Sequence, residues 1–110
     1  MKVLVCGGRD FDDMALVERT LDAIEVTQII EGGAKGADAL ARKWAEARGV
    51  TVRTFQPNWK RFGRGAGPKR NQQMLDEGKP DLVLAFPGGS GTKNMMRLAG
   101  AANVRVQVVQ

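Results

Sequence analysis

One pattern constrains this chain more than any other. A short apolar run, a cluster of glycines and a stretch of helical periodicity follow one another, and then follow again. Lys2–Cys6 runs into Gly7-Gly8, Thr27–Ile30 is closed by Gly32-Gly33, and Asp81–Phe86 gives way to Pro87-Gly88-Gly89-Ser90-Gly91-Thr92. Apolar runs of this length, bounded by turn residues, read as buried strands. Between them, Met14, Leu16, Val17, Leu21 and Ile24 fall at helical spacing behind a capping aspartate, Asp12 or Asp13. Lys35 to Arg48 is alanine-rich with Leu40, Ala41, Trp44 and Ala45 on one stripe, and Gly49 stops it. Val50–Phe55 reads as a third strand, and the irregular segment from Gln56 leads to Pro68, a suitable first-turn residue for a helix reaching Glu77. A helix from about Lys93 to Ala102 and a strand over Val104–Val109 complete the chain. Strands alternating with helices make βαβ units and a mostly parallel sheet. The expectation is a single α/β domain over residues 1–110, a minimal three-layer Rossmann-like sandwich of about five strands and four helices.

In a parallel sheet the three glycine-rich turns emerge together at the C-terminal edge, where open α/β folds bind ligands. Glycine allows close backbone approach, and a following helix offers free N–H groups and the positive end of its dipole. This places a phosphate-bearing ligand against Gly7, Gly8, Arg9 and Asp10; against Gly32, Gly33, Ala34 and Gly36; and against Pro87, Gly88, Gly89, Ser90, Gly91 and Thr92. Asp38 lies early in the second helix, where an acid suits the dipole or meets the ligand. Arg70, with Asn71 beside it, is placed to grip a phosphate through two parallel hydrogen bonds. The turns do not spell a Walker P-loop, and the first lacks the dinucleotide fingerprint. Trp44 reads as core. Trp59, in an aperiodic polar stretch, reads either as a base-stacking platform or as a loop anchor.

Absences narrow the chemistry. With no histidine and no tyrosine, acid–base work falls to carboxylates, lysine, the single cysteine or water. One cysteine allows no internal disulfide, which fits a reducing cytoplasm, and Cys6 at a strand end reads as a small buried residue. No metal or other cofactor is required by any motif, and no apolar run is long enough to cross a membrane. The net charge of +5 has a local origin. Ala47 to Leu75 holds seven basic residues and no acidic one, whereas the remainder holds ten basic and twelve acidic. Such a stretch serves a phosphorylated small molecule, single-stranded nucleic acid or a solvated surface.

Four blocks carry a resemblance. Gly7-Gly8-Arg9-Asp10, then Gly32-Gly33-Ala34-Lys35-Gly36-Ala37-Asp38-Ala39-Leu40-Ala41 with Trp44-Ala45, then Ala66 through Leu75, then Ala85 through Thr92 with Met95, resemble the YspA-type, cpYpsA-related SLOG family. The wider superfamily is Rossmann-like and is thought to bind nucleotides or their derivatives; it includes LOG-type phosphoribohydrolases and a DNA-processing protein. The resemblance implies a nucleotide-like ligand such as ADP-ribose, NAD or a nucleoside phosphate. LOG-type enzymes follow Pro-Gly-Gly-x-Gly-Thr with a glutamate three residues on, which acts on the ribosyl group. Here that place holds Met95, which cannot move a proton. The favoured expectation is therefore a ligand sensor or carrier. A small nucleotide-processing hydrolase, drawing on Asp10, Asp12, Glu31 or Asp38, is the alternative, and single-strand nucleic-acid binding the second. Pairing with a second copy through an exposed helix face is also expected.

Overall fold

The computed structural model describes residues 1–110. Its elements run β1 (Lys2–Cys6), α1 (Met14–Asp22), β2 (Gln28–Glu31), α2 (Ala37–Arg48), β3 (Thr51–Thr54), α3 (Trp59–Phe62), α4 (Ala66–Gln73), β4 (Leu82–Ala85), α5 (Ser90–Ala101) and β5 (Arg105–Val108). A 3-10 turn (Gly63–Gly65) joins α3 to α4, and a π-helical turn (Met74–Gly78) extends α4. All five strands are parallel, in the order β3-β2-β1-β4-β5. The four helices of eight residues or more match the expected number. The one-turn α3 lies where irregular chain was expected, held by the Asn58 side chain, which accepts from the Arg61 N–H at 3.1 Å.

Alternation along the strands builds the three layers. Val3, Val5, Ile29, Leu82 and Leu84 face one side and pack under α1 and α2 with Leu16, Val17, Leu21, Ala41 and Trp44. Leu4, Cys6, Ile30, Val83 and Ala85 face the other, beneath Met74, Leu75, Met95 and Ala99 of the α4 and α5 layer. The three central strands are buried on both faces, as parallel strands between helices must be. The outer strands β3 and β5 depart from that expectation and are mostly exposed, because each has a neighbour on one side only.

The helix starts differ from those the sequence predicts. Asp13 caps α1, its side chain accepting from the Leu16 N–H at 3.0 Å. Helix α2 begins at Ala37 rather than Lys35, because Gly36 adopts φ +74 and turns the chain into the helix. Helix α4 begins at Ala66, ahead of Pro68. Helix α5 begins at Ser90, so Ser90, Gly91 and Thr92 form its first turn rather than a loop before it.

Candidate functional site

The chain reverses its direction of sheet growth between β1 and β4: β2 and β3 extend one way, β4 and β5 the other. A doubly wound sheet opens a crevice at the carboxyl ends of the strands at such a point. Here the crevice is a cleft of about 980 Å³. All three glycine-rich turns reach it. Gly7, Gly8, Arg9 and Asp10 line it from β1, Gly32, Gly33, Ala34 and Asp38 from β2 and α2, and Pro87, Gly88, Gly89, Ser90, Gly91 and Thr92 from β4 and α5. Arg70 and Asn71 of α4 close the fourth side. Of the residues expected to bind the ligand, Gly36 alone does not line the cleft. Its backbone is pressed against the Gly8–Arg9 peptide, and a Cβ would lie 2.7 Å from the Arg9 carbonyl oxygen.

The glycines of the first and third turns, with Gly36, thus divide into two kinds. Gly7, Gly8, Gly36 and Gly88 let the turns touch: a Cβ on Gly7 would sit 2.6 Å from that of Ala37, and one on Gly88 2.7 Å from the Gly8 nitrogen. The Gly8 N–H donates to the Pro87 carbonyl at 2.8 Å, and the Gly8 carbonyl accepts from Ala37 at 3.2 Å. Gly89 and Gly91 are different, since a Cβ at either would meet nothing within 4 Å beyond its own turn. They sit where α5 begins, and no side chain caps that end. The first N–H groups of a helix lack intrahelical acceptors.

The charged residues of the cleft floor are tied together. Asp38 is 7% exposed, and its Oδ2 accepts from the backbone N–H groups of Gly32 (3.0 Å) and Ala34 (3.2 Å). Its Oδ1 has no partner within the chain, yet no buried side-chain oxygen is left unsatisfied, so its small exposed surface opens into the cleft. Burial pushes the Asp38 carboxyl up to about 6; nearby Glu31 acts the same way, opposed by the two N–H groups and by Arg70. Arg70 Nη1 donates to the Gly32 carbonyl, and Nε donates to Asn71 Oδ1 at 3.1 Å, leaving Nη2 without a partner in the chain. Burial draws the Arg70 pKa down, while Asp38 and Glu31 hold it up. Asn71 is itself a brace: its Nδ2 donates to Asn94 Oδ1 (2.9 Å) and to the Gly91 carbonyl (3.3 Å), locking α4 to α5.

Glu31, at the end of β2, is fully buried behind this floor and does not line the cleft. It accepts from the Gly33 N–H (2.7 Å), from Arg42 (3.1 Å) and from the Thr54 hydroxyl, and so fixes the second glycine turn. Of the remaining acids considered, Asp10 lines the cleft and Asp12 does not. Met95 is 0% exposed, packed in the core beneath α5. Cys6 touches the cleft floor, but burial and the neighbouring Asp38 raise its thiol to about 12. Gln56, Trp59, Arg64 and Asn94 also line the cleft; among them the sequence marks Trp59, as a stacking platform or a loop anchor, and Lys35 does not reach it. The one signal for the first three was the long aperiodic, basic segment after β3. No group of side chains suited to hold a metal ion is present.

Fold and cleft together define a doubly wound parallel α/β protein with a polar, glycine-lined crevice at its switch point. Within that class, the chain belongs to the YspA, cpYpsA-related SLOG family, whose model matches residues 1–62. That match takes in the first two glycine turns; the blocks around Arg70 and Pro87–Thr92 lie beyond it. A relative spans nearly the whole chain: the Gene 61 protein of Mycobacterium phage D29 is 35% identical over 117 aligned residues, covering 96% of this chain and 93% of that protein. No helix is long and apolar enough to cross a membrane.

Proposed function

We propose that the protein binds a nucleotide or nucleotide derivative in the switch-point cleft, and that it acts as a sensor or carrier of that ligand. The observation that carries this reading is the pair Gly89 and Gly91. The other glycines of the first and third turns are accounted for by contacts between the turns, whereas a Cβ on either of these two would meet open space. They border an uncapped twelve-residue helix whose first N–H groups, with the Ser90 hydroxyl, suit phosphate oxygens. Arg70 lines the same cleft with Nη2 unpartnered, and its planar cation suits bidentate contact with a phosphate. Family membership agrees with a nucleotide-related role.

Met95 argues against LOG-type hydrolysis, because the position of the expected glutamate is inside the core. One observation favours an enzymatic reading nonetheless. Asp38 presents an oxygen to the cleft from a carboxyl that titrates near 6, a suitable range for proton transfer at neutral pH. The two readings separate in one experiment. A panel of ADP-ribose, NAD and nucleoside monophosphates is screened by thermal shift, and each ligand that stabilises is then incubated and examined for base or phosphate release. Stabilisation without turnover supports the sensor. Turnover abolished by Asp38→Asn supports the hydrolase. No stabilisation by any member of the panel refutes both.

A further inference from the structure

The chain has six aromatic residues, and five of them are engaged. Phe11 packs on Phe86 with ring centroids 5.3 Å apart, Trp44 lies beneath Arg48 at 5.1 Å, and Phe55 lies beneath Arg53 at 4.6 Å. Phe62 is flanked by Arg61 and Lys69 at 5.0 and 4.8 Å. Trp59 has neither a ring nor a cation against it. It is also 55% exposed, and of the large exposed apolar side chains it alone lines the switch-point cleft. An indole left in water forgoes about as much burial energy as any side chain can contribute. As a mere loop anchor it would be turned inward. It is instead more than half exposed at the start of α3, where Asn58 caps the turn and the ring edge comes within 3.9 Å of where a Cβ on Gly67 would lie.

We propose that Trp59 is a stacking platform for the aromatic base of a ligand whose phosphate is held at the start of α5, which lines the same cleft. This inference rests on the nucleotide reading above and adds to it the requirement for a flat aromatic ring. Every base has a π-face, so stacking on an indole gives affinity with little discrimination among bases. Arg64, which also lines the cleft, sits on the turn that follows α3.

The two tryptophans make the test direct. Trp44 is buried, with its indole N–H donating to Asp22 at 2.8 Å, so a ligand in the cleft acts on the emission of Trp59. AMP, GMP, CMP and UMP are titrated against the wild-type protein by fluorescence and calorimetry, with ribose 5-phosphate as the base-free probe. The expected result is quenching by nucleotides and none by ribose 5-phosphate. Trp59→Ala lowers nucleotide affinity about tenfold or more and leaves ribose 5-phosphate within about twofold, while Trp59→Phe retains most of the nucleotide affinity. Unchanged nucleotide affinity in Trp59→Ala, or an equal loss for both kinds of probe, overturns the platform. If nucleotides and ribose 5-phosphate bind wild type equally and without quenching, the platform falls and the phosphate reading stands. If no probe binds, both fall.

Discussion

Replacing Asp38 by asparagine tests the electrostatics of the cleft floor without reference to any ligand. The carboxyl titrates at about 6 in the folded chain against 3.8 when solvated, chiefly because it is buried. The folded protein therefore holds the Asp38 proton more tightly than the unfolded chain does. Below about pH 4 both states are protonated and the site costs nothing. As pH rises from about 4 to 6, the unfolded chain ionises freely while the folded one resists, so the contribution of Asp38 to stability falls. Above about pH 6 both are ionised and the penalty levels off. Roughly two pKa units at 1.36 kcal/mol each give about 3 kcal/mol. Asparagine imitates the protonated acid: its carbonyl oxygen can accept from Gly32 and Ala34 while its amide faces the cleft. Urea unfolding of both proteins at pH 4, 5, 6 and 7 is the assay. The two stabilities should agree within about 1 kcal/mol at pH 4 and diverge through pH 4–6. By pH 7 the variant should be more stable by about 3 kcal/mol, or about 13 °C in Tm. A difference that does not change with pH refutes the argument. If Asp38 serves the ligand, the same variant gains stability and loses binding, the trade-off expected of a functional charge.

Other substitutions probe the remaining claims. Arg70→Ala should weaken nucleotide binding by about 1.5–3 kcal/mol in calorimetry, Arg70→Lys should recover only part, and Arg64→Ala should cost clearly less; equal small effects would reduce the segment to a solvated basic surface. Gly89→Val should abolish ligand-induced thermal stabilisation with little change in the Tm of the free protein, whereas Gly36→Ala should lower that Tm, since a Cβ there strikes the Gly8–Arg9 peptide. Met95→Glu should not create a hydrolase: it buries an unpaired carboxylate, and a loss on the order of several kcal/mol in chemical unfolding is expected at pH 7. Cys6, with its thiol near 12, should react with a disulfide reagent at pH 8 far more slowly than free cysteine; fast labelling of the native protein would contradict its burial.

Much of the architecture is local and therefore legible in order along the chain. Apolar runs such as Val3–Val5 and Leu82–Ala85 make central strands wherever they fall, because only a two-sided apolar environment satisfies them. Paired glycines after β1 and β2, and Pro87–Thr92 after β4, mark turns by backbone freedom alone. Parallel βαβ logic then brings those turns to one edge, so that most of the cleft lining follows from sequence. What the tertiary structure decided is which groups at that edge are free. The sequence treats Gly36 and Gly89 alike, yet one is consumed by contact with Gly8–Arg9 and the other faces open space. It places Asn71 beside Arg70, but only packing of α4 on α5 engages its amide nitrogen with Asn94 and Gly91. The motif puts a methionine in the place of an acid, and the fold turns that place into the core. Asp38, read equally well as a helix-terminal acid, acquires its raised pKa from burial beside Glu31, and two carboxylates seven residues apart meet only once the second glycine turn has folded back on itself. Periodicity records which face of an element is apolar, whereas desolvation and spare hydrogen-bonding capacity depend on neighbours remote in sequence.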